Sequence, residues 1–160
     1  MHTLTLMSSD IKAAFTFRHY KSLPSMRRAI KARWEETQGH DVLGACITDS
    51  TDKGWVNTVV FFADVLVNGK PCNDATKRIL LHECTHAAMN TEEFLRSRHR
   101  LHGVDKEEFI AYTTVGLYCL ARDWFSNKFL ATEQSIECAN EDLSLAVSRD
   151  NEVASTHPAR

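Results

Sequence analysis

No stretch of the 160-residue chain approaches the ~18 consecutive apolar residues that a membrane-crossing helix requires. No C-x-x-C pair occurs, and the cysteines (Cys46, Cys72, Cys84, Cys119 and Cys138) are odd in number. That pattern fits reduced thiols, packed as small core residues, better than a disulfide framework. Neither sign of charge dominates. With 19 Lys and Arg against 21 Asp and Glu, the formal net charge is -2, so nothing suggests a general attraction to nucleic acid or to an anionic membrane. The first residues, "MHTLTLMSSDIKAAF", lack a basic segment followed by an apolar run. No secretory signal is therefore expected, and the expected location is cytoplasmic. Internal repeats and low-complexity linkers are missing as well.

Hydrophobic residues make up 43% of the chain, enough for a core without staples at this length. One domain is expected over residues 1–147, with the polar, aperiodic 148–160 as a flexible tail. "HTLTLM" (2–7) alternates as a strand does, whereas "FTFRHY" (15–20) suits a strand or part of a helix. "SLPSMRRAIKARWEETQG" reads as a helix with Pro24 in its first turn and Gly39 as a stop. "VLGACIT" (42–48) and "WVNTVVFF" (55–62), joined by "DSTDKG", read as paired strands, and "VNGKPCND" (67–74) reads as a loop. A helix is expected from Asp74, as N-cap, to about Asn90, followed by a connector over "TEEFLRSRHRLHG". A second helix spans 105–127 and a last one falls within 132–147. Strands early and helices late predict an α+β domain with a small sheet.

Within the 74–90 helix stands "ILLHECTHAAMN", which contains H-E-x-x-H at His82, Glu83 and His86. Residues four apart share a helix face, so the two imidazoles can point at one spot and supply two ligands to a tetrahedral Zn2+. Glu83 lies about 100° round the helix, beside such a metal but free to act as a general base. Leu80, Cys84 and Ala87 form an apolar stripe that would bury the opposite side. Chance matches to the motif arise in roughly a few per cent of shuffled chains of this composition, so a second element is needed.

Catalytic zinc usually keeps three protein ligands and an open position. The metzincin pattern is excluded by Met89 and Glu92 at the places where it needs Gly and His. The candidate third ligand is a carboxylate from "DKEEFIAY" (105–112), either Glu107 or Glu108. The same residues also fit first-turn acids and a capping box between Asp105 and Glu108. His102 is a lesser alternative ligand. Tyr112, Tyr118, His99 and His102 are candidate donors to an oxyanion. The basic run "RSRHRLH" reads as solvated surface, and Trp34, Trp55 and Trp124 read as core or core-edge residues.

"HECTHAAMN" followed by "EEFIAYTTVGLY" resembles the gluzincin metallopeptidases, and most closely the very small members encoded by tailed bacteriophages. The strong part of the match covers residues 79 to about 120. By position, the resemblance implies His82, His86 and Glu108 as zinc ligands and Glu83 as the general base. Glu108 is preferred over Glu107 because Ala111 and Tyr112 then take the E-x-x-A-Y positions. It also implies a minimal zincin-like fold, with a small β-sheet packed on the active-site helix and further helices after it. Where larger gluzincins often carry an acidic residue that orients a histidine, this chain has Tyr112. The expected function is zinc-dependent hydrolysis of a peptide or protein substrate, in the host-cell cytoplasm if phage-encoded. The alternative is a non-catalytic adaptor or inhibitor that keeps the fold and binds a host protein.

Overall fold

In a computed structural model, residues 1–33, 42–51, 53–98 and 100–127 are described. Four strands form the main sheet: β1 (His2–Ser8), β2 (Ala13–Tyr20), β3 (Gly44–Ser50) and β4 (Val56–Ala63). Helix α1 (Leu23–Arg33) follows β2. A two-stranded ribbon, β5 (Leu66–Val67) and β6 (Lys70–Pro71), precedes α2 (Asn73–Ser97) and α3 (Lys106–Asn127). The sheet order is β1-β2-β4-β3, with β2 parallel to β4 and the outer pairs antiparallel. The protein is therefore α+β, with a small mixed sheet and three helices among the described residues.

Side-chain alternation along the strands assigns the two faces. Ala13, Phe15 and Phe17 of β2 and Val56, Val60 and Phe62 of β4 join Leu80, Cys84, Ala87 and Leu95 of α2 and Leu117 and Trp124 of α3 in one core. Tyr20, Phe61 and Ala63 face the other way, where Met26 and Ile30 of α1 cover them. The sheet thus lies between α1 and the α2–α3 pair. No helix among the described residues is long and apolar enough to cross a membrane.

"FTFRHY" is wholly strand, as part of β2, and the 42–62 strands pair antiparallel as expected. Other expectations need correction. "VNGKPCND" is not simply a loop: Asn68 and Gly69, both at positive φ (51 and 77), turn the β5–β6 ribbon. Cys72, not Asp74, is the N-cap of α2, and its side chain makes no capping hydrogen bond. Thr76 ties the start of the helix to the segment before it: its Oγ1 accepts from the Val65 backbone N–H at 3.0 Å and donates to the Cys72 carbonyl at 3.1 Å. Helix α2 also runs on to Ser97 through the expected connector. The apolar stripe continues through Thr91 and Leu95, and Glu92 pairs with Arg96 one turn on, so nothing stops the helix at Asn90. The helix expected to reach Gly39 is described only to Arg33. Trp34, His99, Cys138, the 132–147 helix and the 148–160 tail lie outside the described residues.

Candidate metal centre

The sequence places His82 and His86 one turn apart on α2, and both are exposed. Their Nε2 atoms stand 3.0 Å apart, with the rings nearly perpendicular at 87°. Two imidazole nitrogens on one tetrahedral Zn2+, each at its usual bond length, would be about 3.3 Å apart. The pair fits two corners of such a site to within a few tenths of an ångström.

Glu83 turns away from solvent, towards the sheet edge, and is only 5% exposed. Its neighbour there is β3, whose residues on this side are small: Gly44, Cys46 and Thr48. Farther along the same interface, Thr48 Oγ1 meets Thr58 Oγ1 at 3.1 Å, and Thr58 Oγ1 meets Thr91 Oγ1 of α2 at 3.4 Å. Small side chains let the helix approach the strand closely, and the threonines satisfy one another in the gap. Burial pushes the Glu83 carboxyl up to about 7, with no cation among the described residues to offset it. A carboxyl that titrates near neutrality can both take and return a proton.

Two thiols share this environment. The Asn90 amide lies 3.9 Å from Cys46 Sγ. Burial, then the Glu83 charge, pushes the Cys46 thiol up to about 12, while hydrogen bonds with Thr48 and Asn90 pull the other way. Burial also raises Cys84 strongly. Both are protonated at neutral pH and pack as small apolar groups, as expected from sequence. Cys46, Cys72, Cys84 and Cys119 are all free.

The third ligand is not gathered. Among the described residues, no group of three His, Cys, Asp or Glu side chains is placed to hold a metal ion. Glu107 and Glu108 are exposed in the first turn of α3, where the Glu108 backbone N–H donates to Asp105 Oδ1 at 2.9 Å. The helix-capping role expected for Asp105 is therefore present.

The longer α2 explains where that turn sits. Arg96 pairs with the buried Glu92, and its guanidinium donates to the carbonyls of Leu101 (3.3 Å) and Val104 (3.2 Å). Lys106 Nζ lies 3.8 Å from Glu92 Oε2. These contacts dock the start of α3 at the turn of Glu92, six residues past His86 and about 9 Å farther along the helix axis. Tyr112 and His102 are exposed, and Tyr118 is half-buried beneath the Arg122 guanidinium.

Gly44, Cys46 and Asn90 escaped the sequence reading. A glycine inside a strand pattern signals close approach of another element, which is the one cue that "DVLGACIT" offered. No protein-family model, curated protein or solved structure matches the chain.

Proposed function

We propose that the chain is a zinc-dependent peptidase of gluzincin type, built as a minimal zincin-like domain. The observation that carries this reading is the convergence of the His82 and His86 Nε2 atoms, 3.0 Å apart on an exposed face, beside a buried glutamate with no charge partner among the described residues. His82 and His86 would hold the metal, and Glu108, or its neighbour Glu107, would complete the set. A zinc ion held there supplies Lewis acidity to a carbonyl oxygen and lowers the pKa of water. The chain's own contribution is proton transfer: Glu83 accepts a proton from the attacking water and delivers it to the leaving amine nitrogen. Its burial keeps bulk water from competing for that proton. Among the described residues β3 ends the sheet, so its outer edge is open to an extended peptide substrate near Glu83.

A second reading is an adaptor or inhibitor that keeps this fold and binds a host protein. The ungathered third ligand favours it, and the retained Glu83 speaks against it, since binding a partner does not require a desolvated carboxylate. Metal analysis paired with a fluorogenic peptide library separates the two. The expected result is about one zinc per chain in both wild type and Glu83→Gln, with cleavage reduced about 100-fold or more in the variant. Undiminished cleavage in Glu83→Gln, or no zinc uptake by the wild type, would sink the peptidase reading.

A further inference from the structure

We propose that Gly44 is a positioning residue for Glu83: the missing side chain at the first residue of β3 is the space into which the Glu83 carboxylate is seated. This rests on the reading of Glu83 as the general base. A Cβ built at Gly44 would meet Glu83 Cγ at 2.7 Å, Oε1 at 2.7 Å and Cδ at 2.9 Å. The backbone at this position does not call for glycine. Its backbone φ is not in the left-handed region, unlike Gly54, Gly69 and Gly103, so an alanine could adopt the same backbone. Gly44 is paired in regular antiparallel register with Phe62, where a side chain would normally favour the strand. The three atoms nearest the added Cβ all belong to the carboxylate side chain of α2.

The two partners of this contact are both constrained. Gly44 opens β3 and is buried, held in line by the β4 ladder, so the strand has little freedom to withdraw. Glu83 is flanked on α2 by the buried Leu80, Cys84 and Ala87, so the helix cannot back away without opening the core. A methyl at position 44 is therefore relieved by moving the Glu83 side chain itself. That motion takes the carboxylate out of its place between strand and helix and leaves the histidine pair untouched.

The reciprocal consequence is an energetic coupling between positions 44 and 83, which a merely structural glycine would not show. Where a glycine's conformation suits alanine, the exchange stabilises a protein slightly by restricting the unfolded chain. Gly44→Ala should do only this once the Glu83 side chain is removed; while that side chain is present, its displacement adds a change of its own.

The experiment is a thermal double-mutant cycle on the metal-free full chain: wild type, Gly44→Ala, Glu83→Ala and the pair. Gly44→Ala should leave Tm unchanged or slightly raised in the Glu83→Ala background, and its Tm change in the wild-type background should differ from that by about 5 °C or more. If Gly44→Ala does not fold, folding of the double variant supports the proposal and failure of both overturns it. Equal Tm changes in the two backgrounds also overturn it.

With the fluorogenic peptide library, Gly44→Ala should lose kcat about tenfold or more at little-changed KM, with zinc content preserved. A variant with unaltered kcat would overturn the positioning role. Lack of cleavage by the wild type would refute the peptidase reading instead, and the thermal cycle would still decide whether Gly44 seats Glu83.

Discussion

Two buried glutamates on one helix are treated in opposite ways. Glu92, 1% exposed, is met by Arg96 and Lys106, and the Arg96 guanidinium also holds the carbonyls that lead into α3. Glu83, 5% exposed, sits about two and a half turns earlier against a glycine and two thiols, without a cation among the described residues. The first glutamate helps to fold the molecule: it ties the end of α2 to the start of α3. The second opposes folding at neutral pH, because a desolvated carboxylate without a partner is costly.

The comparison can be broken from either side. The largest effect is expected at the paired glutamate. Arg96→Ala should lower stability by about 3 kcal/mol, since it leaves Glu92 buried with only the more distant Lys106 and frees two carbonyls. Urea denaturation measures this, and a loss below about 1 kcal/mol would mean that the cluster is a surface ornament.

Next comes the unpaired glutamate, with the opposite sign. Its carboxyl is raised from 4.5 to about 7 on folding, so the folded protein holds that proton more tightly than the unfolded chain does. The contribution of Glu83 to stability is fully present below pH 4.5 and is lost as pH rises through 7, about 3 kcal/mol in the metal-free protein. Glu83→Gln should remove this slope and be more stable than wild type at pH 8 by about 2 kcal/mol, the amide having its own desolvation cost. Equal stability of the two proteins at pH 8 would show that Glu83 has found a partner.

The smallest effect sharpens the contrast by touching neither glutamate. His82→Ala and His86→Ala remove exposed side chains and should change metal-free stability by no more than about 0.5 kcal/mol. Each should nevertheless abolish zinc uptake in equilibrium dialysis, and retained uptake in either variant would exclude the pair as the metal's anchor.

Much of this arrangement was legible in the residues, and the illegible part has a physical cause. The strands at 42–62 and the helix bearing H-E-x-x-H follow from periods of two and 3.6, which are local properties. The parallel pairing of β2 with β4 joins segments separated by α1 and β3, and no local pattern announces it. The end of α2 was misplaced because Glu92 and Arg96 look like solvent-facing charges; their burial depends on where α3 returns, which is set by the same two residues. The third-ligand expectation assumed a long connector, and the extra turns of α2 shorten that connector to residues 98–105. Gly44 gave only a faint cue, because its meaning lies in a side chain almost forty positions away.

The parallel pairing also has a kinetic consequence. Ala13 pairs with Val56, and closing a loop of about 40 residues must precede any reward from that contact. The β3–β4 hairpin and the α2–α3 pair need only short closures. Seating Glu83 against Gly44 is different: that contact closes almost as long a loop as the β2–β4 seam does. By contact order the candidate centre therefore belongs with the long-range contacts of the fold, not with its local ones.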